Sequence, residues 1–116
     1  MKFAIETAGD VQVVVIQGNL DGGRETFEIK DRVSELVRVG ERKFLIDLEA
    51  AKFVNSTGIG VLVAILASVR GVGGSLKLCH IGGRVRRSMV TTGGGIWESL
   101  DVHTGRAEAL ASFQAV

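Results

Sequence analysis

The apolar positions change period twice along the first half of the chain. Phe3-Ala4-Ile5 and Val11-Gln12-Val13-Val14-Val15-Ile16, joined through Thr7-Ala8-Gly9-Asp10, predict two strands of a hairpin. After the turn-rich Gly18-Asn19-Leu20-Asp21-Gly22-Gly23, Phe27, Val33, Leu36 and Val37 recur near helical spacing with charged residues between them. That spacing predicts an amphipathic helix to about Val39, ended by Gly40. Phe44-Leu45-Ile46-Asp47-Leu48 is then a nearly continuous apolar run, the pattern of a mid-sheet strand covered on both faces.

A second helical run follows, with Ile59, Leu62, Val63, Leu66 and Val69 on one face and an end near Gly71. Val61 and Ile65 make it apolar on another side too. Leu76, Leu78 and His80 alternate with Lys77, Cys79 and Ile81, which predicts a partly covered strand nearer the sheet edge. A third helix over Arg84–Thr92, a glycine turn at Gly93-Gly94-Gly95, a short strand at Leu100-Asp101-Val102 and a closing helix over Arg106–Phe113 complete the order. Strand-helix-strand units require parallel neighbours and right-handed crossovers. The expected architecture is therefore α/β, a mixed β-sheet of four to five strands backed by about four helices.

Composition narrows the function classes. The 116 residues fit one domain, 1–116, and 46% hydrophobic residues are enough for one core. There is no proline and no low-complexity tract to mark a linker. Fourteen basic and thirteen acidic residues leave a net charge of +1, which gives no general field for nucleic acid or an anionic membrane, so neither direct nucleic-acid binding nor membrane insertion is expected. The apolar stretch Ile59–Val69 is interrupted by Gly60 and Ser68 and falls short of the ~20 residues of a membrane span. One cysteine, Cys79, and no charged-then-apolar leader over Met1–Glu6 suit a reducing cytoplasm.

The most informative stretch is Phe53-Val54-Asn55-Ser56-Thr57-Gly58-Ile59-Gly60, where a loop leaving a strand becomes a helix. The first N–H groups of a helix lack internal partners, so Asn55, Ser56 or Thr57 could cap them, a contribution of about 1 kcal/mol. The same free N–H groups and the positive helix end also suit an anion, including a phosphate carried on Ser56. Such a phosphate would leave the helix formed and act by repulsion at a binding surface.

These residues resemble a STAS domain of the anti-sigma-factor antagonist type. The resemblance is carried by Gly18-Asn19-Leu20-Asp21, by Leu45-Ile46-Asp47-Leu48 leading through Phe53-Val54 into Asn55-Ser56-Thr57-Gly58-Ile59-Gly60, and by Ala107-Glu108-Ala109-Leu110. It implies that Ser56 is the phosphorylated serine, with Asp21, Asn55, Thr57 and Gly58 as its neighbours. It further implies an anti-sigma factor that is itself a serine kinase as partner, bound by the unmodified chain and released on phosphorylation. ATP then belongs to the partner, this chain needs no cofactor of its own, and a phosphatase would reset the switch. Asn55 stands where antagonists carry aspartate, which removes a negative charge beside the target hydroxyl and keeps its hydrogen-bonding shape. A non-switching STAS scaffold or transporter-associated subunit is the other role open to this family, with Ser56 or Thr57 serving only as a cap.

Other chemistries find less support. Gly58-Ile59-Gly60 lacks the third glycine of a dinucleotide fingerprint, since Val63 stands there, and no Gly-Lys-Ser/Thr phosphate loop occurs. A hydrolytic Ser56 would need a base from His80 or His103, and no serine sits in a Gly-x-Ser-x-Gly turn, so no enzymatic activity is expected. Cys79 and His80 lack a metal-spaced cluster, so no metal is expected. Arg84, Arg86 and Arg87 form a local basic patch of the kind a solvated helix face carries. Because the second helix is apolar nearly all round, Gly58, Gly60, Val61 and Ile65 are expected to form the edge of a docking surface beside Ser56, for a second copy or a different partner.

Overall fold

The computed structural model describes residues 3–114, so Met1 and Lys2 of the leader reading lie outside the described residues. The hairpin forms as expected. β1 (Phe3–Ala8) pairs antiparallel with β2 (Val11–Ile16), and Gly9 turns the chain at φ +63°. β3 (Lys43–Asp47) joins β2 in parallel, β4 (Ser75–Cys79) joins β3, and β5 (Asp101–His103) joins β4, giving one five-stranded sheet in the order β1-β2-β3-β4-β5. β3 is central, and Phe44, Leu45 and Ile46 are fully buried, as their unbroken apolar run requires.

Among the described residues five helices accompany the sheet: α1 (Arg24–Arg38), α2 (Ser56–Arg70), α3 (Gly83–Thr92), the single turn α4 (Ile96–Ser99) and α5 (Arg106–Ser112). α4 is one more than expected. Its four residues are too few to show a period, and Gly95 at φ +89° starts it. α1, α2 and α3 build the main core with the sheet, through Ile29, Val33, Leu62, Leu66, Val85 and Met89. α5 lies against a smaller cluster in which Ala109 meets Val11, Val13, Leu45 and Cys79. β4 ends at Cys79 because His80 leaves the strand with φ +57°, so the alternation expected through Ile81 stops two residues early.

The surface of α2 corrects one expectation. Val61 and Ile65 are 4% and 1% exposed, so they belong to the core and not to a docking edge. The cause is α1, which packs along α2 and covers a second side of it in addition to the side on the sheet. Gly58 is buried as well. The exposed line on α2 runs instead through Ser56, Gly60, Val63, Ala67 and Arg70, spaced by three and four residues on one face. Among the described residues no helix is long and apolar enough to cross a membrane.

Candidate functional site

The site is made where two loops at the carboxyl ends of β2 and β3 meet the start of α2. Leu20 forms an isolated parallel bridge with Val54: its N–H donates to the Phe53 carbonyl at 3.1 Å, and its carbonyl accepts the Asn55 N–H at 3.1 Å. The Asn19 side-chain oxygen accepts the backbone N–H groups of Lys52 and Phe53 at 2.9 and 3.0 Å. The two loops thus behave as one unit, although more than thirty residues separate them in sequence.

Asn55 is the cap of α2. Its Oδ1 accepts the Gly58 N–H at 2.8 Å, while its Nδ2 donates to the Asp21 carbonyl at 2.7 Å. One amide therefore satisfies a helix donor and ties down the β2–α1 loop. An aspartate would keep only the first bond, because a carboxylate cannot donate. The Asp21 carboxylate turns back on its own loop and accepts the Gly23 N–H at 3.1 Å. Gly22, at φ +85°, lies flat against Thr57, and a Cβ there would come within 3.0 Å of Thr57 Cβ. Gly58 has its own reason to be glycine, since a Cβ would strike the Leu20 carbonyl and lie 2.9 Å from Leu20 Cβ.

Ser56 opens the first turn of α2 with its side chain exposed, and its hydroxyl has no partner among the described residues. Of the three residues that could have capped the helix, Asn55 does so, which leaves the Ser56 and Thr57 hydroxyls at the surface. The structure brings Ser56, Asp21, Asn55, Thr57 and Gly58 together, and Gly60 lies one turn along the same exposed face. Asn19, Leu20 and Gly22 are site-building residues that periodicity did not single out. Their signal was the turn-rich run before α1, in which Gly18-Asn19-Leu20-Asp21 also carries the family resemblance.

Neither histidine is a base for Ser56. His80 Nδ1 lies 3.0 Å from Asp47 Oδ1, and His103 Nε2 lies 2.9 Å from Asp101 Oδ1. Burial alone would raise the Asp47 carboxyl, but the Glu49 N–H, His80 and Arg106 outweigh it and hold the group below its ordinary 3.8. Burial pushes the Cys79 thiol up to about 12, and the Asp47 charge adds to the rise. The basic residues of α3 are partly spent on rings, with the Arg84 guanidinium 5.6 Å from the Phe53 ring centre and that of Arg86 5.3 Å from Trp97.

Comparison with known proteins adds four similarities. The STAS domain family matches residues 2–103. BtrV, a candidate anti-sigma factor antagonist of Bordetella bronchiseptica, is 25% identical over 114 residues, which cover 98% of this chain and 96% of that one. The candidate anti-sigma factor antagonist tm1081 of Thermotoga maritima superposes with a TM-score of 0.85 at 22% identity, over 95% of this chain and 92% of that one. The phosphorylated form of the Bacillus cell fate determinant SpoIIAA superposes with a TM-score of 0.71 at 20% identity, over 95% and 96% of the two chains.

Proposed function

The chain belongs to the STAS domain family, and from that premise we propose that it is an anti-sigma factor antagonist whose hold on its partner is switched by phosphorylation of Ser56. The observation that carries the reading is the division of labour at the start of α2. Asn55 takes the capping bond, so the Ser56 hydroxyl is exposed and free to be modified.

Unmodified, the chain offers an anti-sigma factor a flat face built from Ser56, Thr57, Gly60 and Val63, flanked by the Asp21 loop. Glycine at position 60 lets a partner's backbone come close, and Val63, 39% exposed, supplies apolar contact. A phosphate on Ser56 adds about −1.5 to −2 charges to that face. The helix tolerates it, because the positive end of α2 lies beneath. The partner does not, because it loses fit and gains repulsion.

The anti-sigma factor is also the kinase and brings the ATP; this chain performs no turnover, needs no cofactor for the switch and works in the cytoplasm. A phosphatase restores the hydroxyl. The test is the mass of the protein isolated from its host. The switch requires a phosphate on Ser56 in a fraction of molecules and none in Ser56→Ala. Complete absence of phosphate across growth conditions would leave a non-switching STAS scaffold in its place.

A further inference from the structure

At the carboxyl ends of β3 and β4, apart from the Ser56 face, three side chains with metal-binding atoms converge. We propose that Asp47, Cys79 and His80 hold a divalent transition-metal ion, zinc in the first instance.

The donor atoms stand near the spacing of a coordination shell. The donor atoms of Asp47, Cys79 and His80 all lie within 4.8 Å of one another. His80 Nδ1 stands 3.0 Å from Asp47 Oδ1, 3.3 Å from Glu49 Oε2 and 3.9 Å from Cys79 Sγ. Ordinary zinc bond lengths set tetrahedral edges of about 3.4 Å between N and O donors and about 3.6 Å between N and S. To admit the ion, His80 and Asp47 would part by about 0.4 Å and the sulfur would approach the imidazole by about 0.3 Å. One sulfur, one imidazole and one carboxylate are a donor mix that suits zinc better than magnesium or calcium.

Backbone geometry is what makes the cluster possible. Consecutive strand residues point to opposite faces, so Cys79 and His80 in an unbroken strand could not share a ligand. His80 has φ +57°, a conformation that residues other than glycine adopt only rarely, and it brings the imidazole round to the side of the Cys79 sulfur. The outer partners are also present. Arg106 donates to Asp47 Oδ2 at 3.2 and 2.9 Å and leaves Oδ1 turned toward His80, while the Glu49 N–H fixes Oδ1 at 3.0 Å.

Charge points the same way. The carboxylates of Asp47 and Glu6 pair with Arg106, while those of Asp47 and Glu49 both face the imidazole beside the proposed ion. The buried Cys79 thiol gives up its proton when the metal supplies the positive charge. His80 is about one-third exposed and lines cavities of about 380 and 560 Å3, which give an ion a way in.

The test is titration of chelator-treated full chain with Co2+ alone, followed by displacement with Zn2+. One equivalent should saturate, with visible ligand-field bands and a near-ultraviolet thiolate-to-cobalt band. Zn2+ should then remove both and raise the melting temperature. Cys79→Ser should lose the near-ultraviolet band. His80→Asn, a residue that tolerates the same backbone conformation, should bind at least about 100-fold more weakly while unfolding near the wild-type temperature without metal. No saturable binding, or binding unchanged in His80→Asn, overturns the site. Ligand-field bands without a thiolate band overturn the assignment of Cys79.

Discussion

Two glycines one half-turn apart on α2 should respond to the same substitution with opposite signs. Alanine in place of glycine within a helix is worth about 1 kcal/mol from propensity alone. At Gly60 a Cβ meets nothing within 4 Å, so Gly60→Ala should keep about 0.5–1 kcal/mol of that gain. At Gly58 the added carbon would strike the Leu20 carbonyl and lie 3.0 Å from its carbon, and this carbonyl also accepts the Asn55 N–H. The obstacle is backbone, so it cannot turn aside, and overpacking of this kind costs about 1–3 kcal/mol. Gly58→Ala should therefore lose up to about 2 kcal/mol net. In a domain this size 1 kcal/mol moves the midpoint by roughly 4 °C, so thermal unfolding by circular dichroism should separate the two variants by up to about 10 °C. Equal midpoints, or a stabilised Gly58→Ala, would refute the claim that the β2–α1 loop and α2 are held in fixed contact at Leu20.

Removal of the cap in Asn55→Ala should cost about 1–2 kcal/mol in denaturant unfolding, whereas Asn55→Asp keeps the bond to Gly58, loses the one to Asp21 and should stay within about 1 kcal/mol of wild type. Ile65→Ala should cost about 2–5 kcal/mol because the side chain is 1% exposed; Val63→Ala should change stability by less than about 0.5 kcal/mol and weaken partner binding. A wild-type stability after Ile65→Ala would return that residue to the surface. Asp47 is held below its ordinary 3.8 in the folded chain, so its contribution is complete above that value and disappears as the pH falls through the folded value. Stability measured from pH 6 downward should accordingly fall more steeply for wild type than for Asp47→Asn, and parallel curves would contradict the bonding described.

What could be read from the sequence was whatever depends on near neighbours. The hairpin, the central strand and the second helix follow from periods of two and 3.6, and each is present. Most of the misses are non-local. Periodicity showed that Val61 and Ile65 were apolar on a second side, but only the packing of α1 decides whether such a side meets protein or solvent. Three residues could cap α2, and the choice of Asn55 depends on the Asp21 carbonyl, 34 positions away. Asp47 looked like one member of a strand; His80 and Arg106, 33 and 59 residues further on, make it a centre of charge. His80 itself was read as a strand residue because nothing in its neighbours signals a left-handed backbone.

The central claim is that Ser56 controls binding. Wild type, Ser56→Ala and Ser56→Asp, first shown to unfold at similar temperatures, would be immobilised and exposed to host lysate. The account predicts that wild type and Ser56→Ala retain one serine kinase, that Ser56→Asp does not, and that added ATP transfers phosphate to Ser56 of the wild type and releases the kinase. Retention of the same proteins by all three variants, with no transfer to Ser56, would contradict it.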